Sequence, residues 1–396
     1  MNLTQSKRED LGKNMMDRET IFQEIERELP KYLKFWEDVC NVEGMSRDKV
    51  AMDQVADFVE NFAISEGFCV KRVPFETCGD FLIVDSNPGG EKDYLFLAHM
   101  DTVHEKGKFG YPPVKIEGEN MIGPGVIDCK GGIAISLLVM KAFKNLGYER
   151  NLRYLSTSDE EVSCMLGDEK EMEFFRTESA GYKGAFNCEV SRDGEAIVSR
   201  KGILRINIEI TGKASHSGID YFAGRSAIRE AAYKILELEK QSREGGITYN
   251  CGVISGGEIF NIVPAKCKMS LEVRANSVAE MDEALAIVTK VVDKSFVEGT
   301  TSTMCIHSKR MPMVRNEETN QLFERIRQAS LSIGLGDMIA IESGGGSDSA
   351  YTQLAGVPSV CGLGTCGDFC HTDKEYARIG SLEDRAKILT ATILGE

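Results

Sequence analysis

Apolar residues recur along this chain in two styles, and the change between them divides it. From Ile21 to Phe35 and from Val50 to Phe62 they return every three or four positions, which predicts amphipathic helices, the second capped by Ser46. Tyr94-Leu95-Phe96-Leu97-Ala98 is a continuous apolar run, the pattern of a strand buried on both faces. A helix is expected from Ile133 to Phe143, after Gly131-Gly132, and strands over Leu152 to Ser156 and Gly184 to Cys188. Buried strands alternating with helices predict an α/β sandwich with a largely parallel sheet.

Near Ser199 the pattern changes. Ile206, Ile208 and Ile210 alternate with Asn207 and Glu209, which predicts a half-exposed strand. A helix follows with Ala227, Ile228, Ala231, Ile235 and Leu238 on one stripe. Two more alternating strands run over Thr248 to Ile254 and through Cys267, Met269, Leu271 and Val273. A helix from Val278 to Phe296 and a strand at Met304-Cys305-Ile306 complete a β-α-β-β-α-β order, that of a ferredoxin-like unit. After Lys309 the first style resumes through Glu317 to Ile333, Pro358-Ser359-Val360 and a closing helix near Ser381 to Leu394. The expected organisation is an α/β domain of residues 1–198 and 309–396, with an α+β domain of residues 199–308 inserted into it.

Composition adds exclusions. A chain of 396 residues, 42% hydrophobic and 28% charged, has material for two globular cores. Its formal net charge of −15 argues against nucleic acid or an anionic membrane surface as a partner, since both reward basic patches. No stretch reaches the roughly 18 uninterrupted apolar residues of a membrane helix. Met1 to Lys13 is polar and lacks the apolar core of a secretory signal. The twelve cysteines are scattered without a CxxC pair, so they read as reduced thiols in a cytoplasmic protein. Cys366 and Cys370 lie close together, but no second pair accompanies them to complete a zinc site.

Candidate chemistry gathers at the ends of the buried strands. His99-Met100-Asp101 directly follows one of them, and side chains two apart on an extended segment point the same way. A metal-binding histidine commonly hands its other ring nitrogen to a carboxylate, and strand carboxyl ends are where α/β sheets bind ligands. Asp128 lies just before a helix start, where an N-cap role competes with a ligand role. Asp159-Glu160-Glu161 ends the next strand, and a cation would relieve the repulsion of adjacent acids there. Glu189 ends another apolar stretch, and His371 lies in a glycine-rich loop. Together these groups suffice for two cations sharing a bridging carboxylate. Elsewhere the plainer reading holds: His104 a loop residue, His307 a surface residue, Asp348 a helix cap with a supporting role at the site as the alternative, and Asp159 either a support for the glutamates or solvent-facing.

The segments HMDTV, GPGVIDCKGG, STSDEEV, the glutamate after AFNC, GKASHSG, GGEIFNIVP, GGGSD and CHTDKEY occur in one order. That order resembles the co-catalytic zinc peptidases, which include glutamate carboxypeptidase, peptidase T, bacterial dipeptidases, acetylornithine deacetylase and the aminoacylases. The resemblance runs from about Phe35 to Ile393. It implies a zinc-peptidase-like catalytic domain with a mostly parallel central sheet and an inserted lid and dimerisation domain. It further implies that His99, Asp128 and Glu189 bind one zinc, and Asp128, Glu161 and His371 a second. Asp128 bridges, with a cis peptide after it, and Asp101 orients His99. Glu160 becomes the general base, taking a proton from the attacking water and passing it to the leaving nitrogen. His216 stabilises the oxyanion, in many relatives across a dimer, and Asn261 and Arg274 hold a substrate carboxylate. Gly344 to Gly346, Gly345 central among them, bring backbone close to substrate.

The sequence departs from the pattern at Cys129, where relatives usually carry Asp or Met; it is not a ligand position. Glu189, GKASHSG and CHTDKEY look closest to glutamate carboxypeptidase. The function so implied is hydrolysis of an amide bond next to a free carboxylate in a small peptide or N-acyl amino acid, by a homodimer. Zinc is the implied metal, and the same donors accept cobalt or manganese. The rival readings are an N-acyl-amino-acid deacylase, a dipeptidase and, because every ligand position and the base remain, least of all a catalytically silent binding protein.

Overall fold

Six strands make the central sheet of the computed structural model, which describes residues 17–162, 168–190 and 192–395, the side chains of 168 and 169 excepted. The segment Met1 to Lys13 lies outside the described residues. Across the sheet the order is Cys69–Val73, Phe81–Asp85, Asn151–Ser156, Lys92–Leu97, Gly184–Asn187 and Ser359–Val360. The last four run parallel, and the first two add an antiparallel edge.

Alternate residues of Lys92–Leu97 feed two cores, as a period of two demands. Phe96 points to the side where the helices Arg18–Asn41, Lys130–Asn145 and Ser381–Leu394 pack, contributing Trp36, Ile133, Phe143 and Leu389. Leu95 and Leu97 point to the other side, where they meet Phe174, Phe175 and Tyr351. Burial on both faces explains the continuous apolar run. Gly132 opens the helix Lys130–Asn145 directly against the carbonyl of Cys188, so any side chain there would collide with backbone.

Between these elements lies a four-stranded antiparallel sheet in the order Thr248–Gly256, Lys266–Ala275, Gly202–Thr211, Thr301–Arg310. The helices Ala227–Glu239 and Val278–Asp293 cover one face through a separate core that includes Ile206, Ile208, Met269, Leu271 and Val288. This is the ferredoxin-like arrangement, and the fold as a whole is an α/β domain carrying an inserted α+β unit. Among the described residues, no helix is long and apolar enough to cross a membrane.

Several local expectations are corrected. The helix Lys49–Ser65 is capped by Asp48, which accepts the Ala51 N–H at 3.0 Å; Ser46 has another task. Ile228 faces solvent, because the buried stripe of its helix runs through Ala227, Glu230, Ala231, Lys234 and Leu238. Glu230 and Lys234 are themselves paired in the interior at 3.0 Å. The strands Cys69–Val73, Phe81–Asp85, Glu195–Arg200 and Ile339–Ser343 and the helix Asp168–Ser179 were not expected from the pattern.

Candidate active site

The parallel strands deliver their chemistry at one edge. His99 follows Lys92–Leu97, Glu160 and Glu161 form a short helical turn after Asn151–Ser156, and Glu189 follows Gly184–Asn187. Asp128 stands before the helix Lys130–Asn145, and its peptide bond to Cys129 is cis. The N-cap position itself belongs to Cys129, so Asp128 is released from the capping role. Its two oxygens face opposite ways. Oδ1 lies 3.1 Å from His99 Nε2, and Oδ2 lies 3.2 Å from His371 Nε2. Glu161 Oε2 sits 3.1 Å from the same nitrogen of His371.

These spacings test whether the donors suit cations. Two donors on one tetrahedral zinc, each bonded at about 2.0–2.1 Å, lie about 3.4 Å apart. The His99–Asp128, Asp128–His371 and Glu161–His371 distances are near that edge length. His99, Glu160 and Glu189 form one convergent group, and Asp128, Glu161 and His371 another, donor atoms within 4.8 Å of each other. A carboxylate shared between two imidazoles, with further acids on each side, fits a pair of divalent ions. His371 adopts φ 67° in the left-handed region, uncommon outside glycine, and such backbone persists where the surroundings over-determine it.

Supporting residues hold this cluster in place. His99 Nδ1 donates to the Asp101 carbonyl at 3.0 Å, which orients the ring and turns Nε2 toward Asp128. The Asp101 carboxylate accepts the N–H groups of Glu160 and Glu161 at 3.2 and 3.1 Å, and the Ser46 hydroxyl at 2.6 Å. Glu375 Oε1 accepts the N–H groups of Ile127 and Asp128, 3.1 and 3.2 Å away, and Oε2 takes a hydrogen bond from His104 at 2.8 Å. His104, in the loop past His99-Met100-Asp101, is therefore a buried support for the turn that carries Asp128.

Two buried arginines complete the surroundings. Arg310 NH1 donates to Glu160 Oε1 at 2.6 Å, and Arg200 NH2 lies 3.7 Å from Glu189 Oε2. Asp348 makes no side-chain cap. It accepts from Arg310 NH2 at 2.5 Å and from the Thr157 hydroxyl at 2.6 Å, so it supports the site. Asp159 is fully buried, which removes the solvent-facing alternative.

Left to one another, these groups set each other's ionisation. Burial drives Glu160 well above the usual carboxylate range, against the pull of Arg310, and the charge of Glu189 adds to it. Burial also raises Glu189, opposed by Arg200. Glu161 is pushed up to about 7 by burial and by the charge of Asp128. Hydrogen bonds to Asp128 and Glu161 lift His371 to about 11. Asp128 falls well below the carboxylate range, because the two imidazoles outweigh its burial. Such displaced acids and bases around one point mark functional sites more often than surface ion pairs do.

The remaining candidates lie around and away from this cluster. Cys129 Sγ accepts the His99 N–H at 3.1 Å and lies with His99 and Asp128 in a third group of converging donors, where burial pushes its thiol well above the usual range. Cys366 is buried beside Arg385 and, among the described residues, belongs to no group of converging donors. His216 is exposed on the short ladder Ser215–His216/Ile262–Val263, its Nδ1 accepting the N–H groups of Gly218 and Ile219 at 3.2 Å. Asn261 gives its carbonyl to the Ser217 N–H at 2.9 Å, while its buried Oδ1 has no partner. Arg274 is engaged by Glu272 and by the Gly344 carbonyl at 2.8 Å. Gly345 is exposed, its N–H donating to Ser343 Oγ at 3.2 Å. The sequence reading missed Ser46, Arg200, Arg310 and Glu375 as members of the site. Only Glu375 had a signal, its place in CHTDKEY.

Residues 95–395 match the model of the family described as Peptidase family M20/M25/M40, and the chain belongs to that family. It is a hydrolase of peptide or amide bonds, and the family is metal-dependent. Carboxypeptidase G2 of Pseudomonas sp. (strain RS-16) is 26% identical over 384 residues, 94% of this chain and 91% of its own. Acetylornithine deacetylase of Pasteurella multocida is 26% identical over 271 residues, 63% of this chain and 69% of its own. A metallo-carboxypeptidase structure from Sulfolobus solfataricus shares the fold, with a TM-score of 0.76 and 14% identity over 93% of this chain and 98% of that one. A tripeptidase structure from Staphylococcus aureus does so with a TM-score of 0.74 and 20% identity, over 97% and 100%.

Proposed function

We propose that this protein is a carboxypeptidase-type exopeptidase, cleaving the amide bond next to a free carboxylate in small peptides or related amides. The observation that carries this is the Asp128 carboxylate, with one imidazole on each oxygen and an acid of raised proton affinity, Glu160, beside it. His99, Asp128 and Glu189 would hold one divalent ion, and Asp128, Glu161 and His371 a second. Zinc is the preferred metal, and cobalt or manganese is acceptable to the same donors. Ions held there would supply Lewis acidity toward the scissile carbonyl and lower the pKa of water.

The protein groups then divide the work. Glu160 accepts a proton from the attacking water and returns it to the leaving nitrogen. His216, whose Nδ1 is occupied as an acceptor, carries its proton on Nε2 and offers it to the developing oxyanion. Asn261, with an unpartnered Oδ1, and Arg274 receive the substrate's polar end, while Gly345 leaves room for its backbone.

The leaning toward a carboxypeptidase is supported by the extent of similarity to carboxypeptidase G2, which spans nearly the whole of both chains. We assign residues 199–308 as a lid and dimerisation domain of a cytoplasmic homodimer. The exposed edge strand Thr248–Gly256, with Val253 and Ile254 facing solvent, supports that pairing. A fully active monomer in light scattering would remove the cross-subunit role of His216.

The test is hydrolysis of a matched panel, comprising N-acyl amino acids, dipeptides and longer peptides ending in glutamate, with and without chelator. Chelator-sensitive release of the C-terminal residue from peptides is the expected result. Turnover of acetyl or succinyl amino acids alone would make it a deacylase. Glu160→Gln should keep its metal and lose about 10²–10⁴ in kcat.

A further inference from the structure

Arg310 ends the strand Thr301–Arg310, an outer strand of the inserted sheet, yet its side chain is only 3% exposed and lies among the acids of the active site. NH1 donates to both the main-chain carbonyl of Glu160, at 2.9 Å, and its Oε1, at 2.6 Å. NH2 donates to Asp348 Oδ1 at 2.5 Å, and the other oxygen of Asp348 is held by Thr157 at 2.6 Å. The neighbouring chain is shaped around this side chain. A Cβ on Gly346 would stand 2.5 Å from Arg310 Cδ and 3.2 Å from Ile203 Cδ1, so glycine at 346 leaves the space that the arginine stem fills. The close approach in the glycine run is thus to Arg310.

We infer that Arg310 is a positioning residue for the base. A planar guanidinium bonded to the backbone and the carboxylate of one residue, and anchored on a second acid, fixes the rotamer of that carboxylate. Oε1 of Glu160 is taken by Arg310, and Oε2 has no protein partner among the described residues, which makes Oε2 the atom that moves the proton. Buried, with NH1 bonded to Glu160 and NH2 to Asp348, Arg310 is not placed to grip a substrate carboxylate. The inference rests on the reading of Glu160 as base.

The experiment compares Arg310→Lys, Arg310→Ala and Asp348→Asn with the unaltered, metal-loaded protein on a substrate that it turns over. A lysine holds one acid but not both. Arg310→Ala should lower kcat about 10²-fold with KM within about twofold and metal content unchanged, because only the alignment of the base is lost. Added guanidinium should restore part of that activity, and Arg310→Lys should fall between the two. If Arg310→Ala does not fold, Arg310→Lys and Asp348→Asn carry the test, each expected to lower kcat and not to raise KM.

Raised KM with intact kcat would assign Arg310 to substrate binding and overturn the inference. Unchanged kinetics in Arg310→Lys and Asp348→Asn would do the same. A fully active Glu160→Gln would instead remove the reading on which it rests, and an inactive Glu160→Gln beside fully active Arg310 variants would sink the inference alone.

Discussion

The Ser46 hydroxyl donates to Asp101 Oδ2 at 2.6 Å, in a position where both side chains are closed to solvent. Asp101 in turn holds the main chain of Glu160 and Glu161 and faces His99 Nδ1 at 3.2 Å. A serine more than fifty positions upstream therefore steadies His99, Glu160 and Glu161 through one carboxylate.

Ser46→Ala leaves that buried charge short of one hydrogen bond, a loss of about 1.5–3 kcal/mol for a bond to a charged group. Metal affinity should fall about tenfold, as it does when groups behind the ligands are removed. Chelator competition and thermal melting measure both, and an unchanged affinity would show that Asp101 is held well enough by its other contacts.

Glu375 should separate two variants. Glu375→Gln keeps an acceptor for the N–H groups of Ile127 and Asp128 and should bind metal nearly as well. Glu375→Ala orphans both, at about 1–3 kcal/mol each, and should weaken metal binding at least tenfold. Equal affinities in a zinc titration would exclude the bridging turn as the point of action.

The pH dependence has a definite sign. His371 is raised from its ordinary 6.5 to about 11 by Asp128 and Glu161, so its contribution to the stability of the chelator-stripped protein is full below pH 6.5 and lost as pH rises through 11. Glu161, raised from 4.5 to about 7 by burial, also favours the protonated fold and loses that contribution as pH rises through 7. The stripped protein should thus weaken from neutral to alkaline pH. Metal competes with the proton on His371, so affinity should rise with pH by up to about tenfold per unit below 11. Melting curves of stripped and loaded protein from pH 6 to 10 should diverge; parallel curves would refute the linkage.

In the inserted unit, Lys234 Nζ donates to the carbonyls of Val291, Val292 and Lys294 at 2.8, 2.9 and 2.6 Å. Its partner Glu230 accepts the N–H groups of Phe296 and Val297 at 2.9 and 2.6 Å. Lys234→Met leaves a buried carboxylate without its cation and should cost about 3–5 kcal/mol in urea unfolding, with metal content unchanged. A cost below about 1 kcal/mol would mean that water replaces the ammonium group.

The sequence made His99, Glu160, Glu161 and Glu189 legible because each follows a buried strand, where an ionisable group needs a reason to be present, and Asp128 because it stands just before a helix start. The ferredoxin-like unit was legible because one solvated face imposes strict alternation on its strands. Arg200, Arg310 and Ser46 left no such trace. Their meaning lies in partners far along the chain, Arg310 bonding a glutamate 150 positions away, and spacing carries no record of that. Phe81–Asp85 was missed because a run of four apolar residues between acids is too short to stand out, and Asp168–Ser179 because its apolar stripe is thin. Ile228 misled because hydrophobicity alone could not reveal that a buried Glu230–Lys234 pair takes the inner face.

The strand Thr301–Arg310 gives the molecule a seam with practical weight. Exchanging inserts between relatives is an obvious way to alter substrate choice, and a recombination junction drawn just past Arg310 would exchange the guanidinium under Glu160 along with the insert. A crossover placed before residue 310 keeps that arginine with its native acids, Glu160 and Asp348. Chimeras differing only in this crossover would tell whether new specificity can be grafted on without unsettling the proton transfer beneath it.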